Sequence, residues 1–86
     1  MTDYGKQIVV LDRGFIYVGD VSADENFCVI ANAHCVRRWG TSKGLGELAA
    51  RGPLPNTVLD SAGTVRTPMR AVIHMLACEA AKWTEH

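Results

Sequence analysis

The stretch Gln7-Ile8-Val9-Val10-Leu11-Asp12-Arg13-Gly14-Phe15-Ile16-Tyr17-Val18-Gly19 decides the fold class. Two β-branched and aromatic runs flank Asp12-Arg13-Gly14, which has the residue types of a three-residue hairpin loop with Gly14 supplying a positive φ. Runs of this kind fit a pleated, half-buried surface better than a helix. The sequence therefore predicts an antiparallel pair here, ended by Gly19-Asp20. An acidic loop centred on Asp24-Glu25-Asn26 follows. A third strand is expected from Phe27 to about Cys35, with Phe27, Val29, Ala31 and Ala33 on one face and Cys28, Ile30, Asn32 and His34 on the other.

Beyond Trp39 the pattern changes. Gly40-Thr41-Ser42-Lys43-Gly44 is turn chemistry, and Leu45, Leu48 and Ala49 have helical spacing. A helix of about two turns is predicted over 43–51, with Thr41 or Ser42 as its cap and Gly52-Pro53 as its stop. Pro53-Leu54-Pro55-Asn56 reads as a stiff connector, Thr57–Asp60 as a fourth strand and Ser61-Ala62-Gly63 as a turn. Residues 70–83 fit two readings. Thr67-Pro68 resembles a helix start and Met69–Trp83 lacks Gly and Pro, which suits one long helix. Ala71-Val72-Ile73-His74-Met75 suits a strand followed by a short C-terminal helix. The expected fold is a single α+β domain over 1–86. It is a small β-rich unit with a bent antiparallel sheet of four or five strands and one short helix, the C-terminal helix being left open.

Composition bounds the function. With 86 residues, 48% hydrophobic and 21% charged, the chain is globular and has room for one core. Nine Lys plus Arg balance nine Asp plus Glu, so strong non-specific nucleic-acid binding, which rests on a basic surplus, is not expected. The charge is uneven. Residues 1–36 carry two basic and five acidic groups, whereas 37–51 carry Arg37, Arg38, Lys43 and Arg51 against Glu47 alone. No secretory h-region opens the chain, and no apolar run reaches the roughly 20 residues of a membrane span. Three cysteines, Cys28, Cys35 and Cys78, are odd in number and lack CxxC spacing, so reduced thiols in a cytoplasmic setting are expected.

Each candidate site has a plainer rival. The cysteines with His34, His74 and His86 hold the residue types of a Cys–His nucleophilic pair, but Cys in apolar surroundings packs as a small hydrophobe. Cys28, His34, Cys35 and Cys78 include zinc-ligand types, yet six residues of extended strand separate Cys28 from His34 by about 20 Å. Neither a catalytic residue nor a metal or other cofactor is predicted. The segment 40–44 lacks the GxxxxGK[ST] order, so it is no P-loop. Backbone N–H groups at a helix start nonetheless attract anions. Arg37, Arg38 and Lys43 would add charge there, Thr41 and Ser42 hydrogen-bond donors, and Trp39 a stacking surface. The rival reading makes Arg37-Arg38 a solvated strand end, Trp39 core, and Thr41-Ser42 a helix cap.

Three segments, Arg13-Gly-Phe-Ile-Tyr-Val-Gly19, Ala31-Asn-Ala-His-Cys-Val-Arg-Arg-Trp-Gly40 and Leu45-Gly-Glu-Leu-Ala49, together resemble a family of small uncharacterised proteins of phages and prophages. Ile73-His-Met-Leu-Ala-Cys78 followed by Glu79 extends the resemblance, which covers about residues 13–80. The chain departs from that pattern at Gly40-Thr41 and in the Pro-rich connector 53–55. The resemblance implies a phage context, a β-rich fold with a strand at 70–76, and a binding role in the host cytoplasm. It carries no chemistry to transfer. The expectation is a non-enzymatic, phage-encoded accessory protein, acting against host defence by sequestering an anionic nucleotide-like ligand at residues 37–43. The alternatives are an inhibitor or adaptor that binds a host protein such as a defence complex, and a structural subunit of the phage particle.

A core this small gains from burying more surface on assembly, so a homodimer or higher homo-oligomer is expected. Light scattering at micromolar concentration should show particles of at least twice 9.4 kDa. Particles of single-chain mass alone would contradict it.

Overall fold

The computed structural model describes residues 1–86. Five strands, β1 (Thr2–Leu11), β2 (Ile16–Ala23), β3 (Phe27–Arg38), β4 (Val58–Pro68) and β5 (Val72–Ala77), form one sheet in the order β4-β3-β2-β1-β5. Every neighbouring pair is antiparallel. One helix, α1 (Leu45–Arg51), lies between β3 and β4. The Asp12–Gly14 turn joins β1 to β2 as expected, with both Arg13 (φ 65°) and Gly14 (φ 82°) in the left-handed region. The Leu11 N–H closes it on the Phe15 carbonyl at 2.8 Å.

The sheet cannot be flat. β4 and β5 are its two edges, four strand steps apart, or about 19 Å in a flat sheet. Only Met69–Ala71 joins Pro68 to Val72, a path of at most about 14 Å. The sheet therefore coils so that its far edges meet. Bulges make the bend. β2 shifts register between Val18 and Asp20, and β3 between Ile30 and Ala33, where Asn32 takes φ 51°. The two irregularities cross at Gly19, where a Cβ would lie 2.6 Å from Ile30 Cγ2 and 2.7 Å from the Ala31 carbonyl oxygen. No other residue fits there without displacing β3.

Coiling produces two cores. Val9, Leu11, Val21, Ala23, Cys28, Ile30 and Ala33 fill the inner face, joined by Val65, Met69, Val72 and Met75. Ile8, Ile16, Val18 and Val36 lie on the outer face beneath Leu48 and Ala49 of α1 and beneath Trp83. Because a bulge exchanges the two faces of a strand, β3 does not keep the alternation expected from its sequence. Cys28, Ile30 and Ala33 share the inner core, whereas Val36 belongs to the outer one.

Three boundaries differ from expectation. The helix begins at Leu45 with Gly44 as its N-terminal cap, not Thr41 or Ser42. Gly52 ends it as predicted, at φ 79°, with its N–H on the Leu48 carbonyl. The turn expected at 61–63 is absorbed into β4, which bends at Gly63 (φ 71°) and continues to Pro68. No C-terminal helix forms. Met69–Ala71 is one 3₁₀ turn, Val72–Ala77 is claimed by the β1 ladder, and Ala80–Lys82 is a second 3₁₀ turn. That last segment instead serves to deliver Trp83, 2% exposed, whose Nε1 donates to the Ala49 carbonyl at 3.1 Å.

Trp83→Ala should therefore cost about 3–5 kcal/mol, by cavity formation and loss of the outer-face seal. Urea unfolding measures it, and a loss below about 1 kcal/mol would show that the segment is not part of the core.

Candidate functional site

The corner where β3 runs into α1 carries all six residues singled out in the sequence. Arg37 is not free. Its Nη1 lies 2.8 Å from Asp60 Oδ2 on β4, and this hydrogen bond raises the guanidinium pKa above its ordinary value. Both partners are more than half exposed, so the pair orients Arg37 more than it stabilises the fold. Arg38 and Lys43 are exposed and belong to none of the three ion pairs of the chain.

Trp39 is 41% exposed, so it is neither core nor freely solvated. Its carbonyl accepts the Thr57 hydroxyl at 2.7 Å, and the same Thr57 oxygen accepts the Leu54 N–H at 3.0 Å. Gly40 follows at φ 69°, packed against the Asn56–Thr57 backbone so closely that a Cβ would collide with it. These contacts fix the backbone beneath the indole, whose Cζ3 edge lies over Gly44.

The turn at 41–44 spends its polar groups internally. Thr41 Oγ1 donates to the Gly44 carbonyl at 2.9 Å. The Ser42 N–H donates to Glu47 Oε1 at 3.1 Å, and Glu47 Oε2 lies 3.6 Å from Arg51 Nη1. With Gly44 as cap, Glu47 occupies the third helical position, where a carboxylate reaches back to free backbone N–H groups. An anion thus already sits at the start of α1, supplied by the chain itself. Glu47, Thr57 and Asp60 were missed as members of this corner. Only the Gly44-to-Glu47 spacing could have signalled one of them, because the other two arrive through the pairing of β3 with β4.

The surface has two concavities, and neither is lined by residues 37–43. One is bounded by Glu25, Asn26, Phe27, Pro68 and Arg70, the other by Pro53, Lys82, Thr84, Glu85 and His86. The corner lies outside both concavities and carries an aromatic ring and two unpaired cations.

The remaining reactive side chains lie apart. Cys28 is in the inner core, while His34 packs edge-on to His86 with ring centres 5.2 Å apart. No three His, Cys, Asp or Glu side chains converge to hold a metal ion. No helix is long and apolar enough to cross a membrane. All three cysteines are free. Burial raises the Cys28 thiol pKa and pushes that of Cys78 up to about 11.

Two outcomes follow from the thiols. At pH 8 a thiol reagent should modify Cys28 and Cys78 slowly in native protein and all three cysteines quickly in denaturant. Native rates equal to denatured rates would place the thiols at the surface. In addition, the unfolded chain loses these protons near pH 9 while the folded chain keeps them, so stability should fall as pH rises from about 9 towards 11. Equilibrium unfolding across that window reads the slope, and a rise would contradict the burial.

No family model, curated protein or solved structure matches the chain.

Proposed function

We propose that the protein is a non-enzymatic binding module that docks on an acidic surface of a partner protein through the β3–α1 corner. The carrying observation is Trp39, partly exposed at the β3–α1 corner and flanked in sequence by the unpaired Arg38 and Lys43. Tryptophan and arginine are the residue types that dominate binding energy at protein interfaces. The corner is also pre-organised, since Thr57, Gly40 and Glu47 hold its backbone before any partner arrives. Less ordering entropy is then lost on association.

A nucleotide-sequestering role would use the same residues but would need walls around them. Arg37 is shared with Asp60, the Thr41 hydroxyl and Ser42 N–H are engaged internally, and a second copy of the chain would have to complete the pocket. The partner-protein reading needs no such addition. With the resemblance to phage-encoded proteins, the favoured partner is a host protein such as a component of a defence complex, met in the host cytoplasm.

The test is affinity capture from bacterial lysate with wild type, Trp39→Ala and the double variant Arg38→Ala/Lys43→Ala. A partner held by wild type should be lost with Trp39→Ala, where a loss of about 2 kcal/mol or more corresponds to at least thirtyfold in affinity. The double variant should hold it more weakly and with less sensitivity to salt. Equal capture by all three proteins would remove the corner from the function. Calorimetric heat with nucleotides that disappears in Arg38→Ala would replace the partner protein by a small anionic ligand.

A further inference from the structure

The larger concavity lies at the opposite end of β3 from Trp39 and has a volume of about 480 Å³, within the usual range of small-molecule sites. Its walls are held firmly. Asp24 Oδ1 accepts the N–H groups of Asn26 at 2.8 Å and Phe27 at 2.7 Å, and the Asp24 N–H returns to the Phe27 carbonyl at 3.0 Å. Across the opening, Phe27 pairs with Pro68 in the ladder, and the Met69 N–H donates to the Asn26 carbonyl at 2.9 Å. The loop before β3 and the turn after β4 therefore form one rigid rim.

The groups on that rim are unspent. Phe27, a large ring, is 47% exposed. Arg70 and Glu25 border the same opening but do not pair with each other or with any other charged group. Asn26 uses only its backbone in the internal bonds. One aromatic face, one guanidinium, one carboxylate and one primary amide thus border an open, preformed hollow.

From this set we infer that the concavity is a binding site for a guanine nucleotide. A planar base stacks on Phe27, as bases do on exposed aromatic rings. A carboxylate accepts two hydrogen bonds side by side, and guanine presents adjacent N1–H and N2–H₂ donors to Glu25, whereas adenine presents one donor beside an acceptor. The Asn26 amide donates to the O6 or N7 acceptors of guanine. Arg70 takes the phosphate, the partner for which a guanidinium fork is best matched. This site is separate from the Trp39 corner, so its failure leaves the docking reading standing.

Titration of ¹⁵N-labelled protein with GMP tests it, with AMP and guanosine as comparison ligands. GMP should shift amide signals of residues 24–27 and 68–70, and should bind at least tenfold more tightly than either AMP or guanosine. Arg70→Ala should reduce GMP affinity to that of guanosine, and Glu25→Gln should abolish the preference over AMP. Both side chains are exposed, so folding is retained in the variants, as their amide spectra will show. No shifts with millimolar GMP, equal affinity for GMP and AMP, or shifts centred on residues 37–43 would each overturn the inference.

Discussion

A three-residue link between the two edges of the sheet governs this molecule. Met69–Ala71 ties β4 to β5 although three other strands lie between them, and a flat sheet would leave the ends out of reach. The coil that results brings Leu11, Ala23, Cys28, Met69 and Val72 into one inner core. Neighbouring strands twist relative to one another in any sheet, but the tight bend here is made at particular places. Gly19 of β2 packs against Ile30, Ala31 and Ala33 of β3, beside the left-handed Asn32, and both strands turn at the same level.

The coil also leaves an apolar outer face that a chain of this size must cover. α1 covers part of it with Leu48 and Ala49, and the segment after β5 covers the rest by inserting Trp83. The Ala49 carbonyl joins the two covers, accepting both the Trp83 indole N–H and the Glu79 backbone N–H. Because α1 is anchored in this way, the β3–α1 corner is held as well. Its outward groups, Arg38, Trp39 and Lys43, thereby sit on a fixed base, and a fixed base is what a binding surface gains from the fold.

Much of this architecture was legible in the sequence. The β1–β2 hairpin followed from its β-branched runs around Asp12-Arg13-Gly14, and the end of the helix from Gly52-Pro53. The face pattern of β3 did not, because a bulge at Asn32 exchanges inside and outside and only the neighbouring strand specifies it. Residues 69–83 suited either one helix or a strand followed by a short helix, because short apolar runs do not decide between the two by themselves. Pairing with β1 realises the strand as Val72–Ala77, while the C-terminal helix is replaced by a 3₁₀ turn. The basic character of 37–43 was visible, but the pairing of Arg37 and the internal use of the Ser42 N–H were not. Asp60 reaches Arg37 only through strand register, and Glu47 folds back on Ser42 only once the helix has started at Gly44.

The two tryptophans report on the whole arrangement. Trp83 seals the outer core and Trp39 stands partly exposed on the corner assigned to binding. Acrylamide quenching of wild type and Trp39→Phe tests this directly. The account predicts that wild type contains one readily quenched and one shielded indole, and that Trp39→Phe retains only blue-shifted emission that resists the quencher until the protein unfolds. Readily quenched emission from native Trp39→Phe would contradict the sealed outer core, and with it the rigid corner on which the binding role depends.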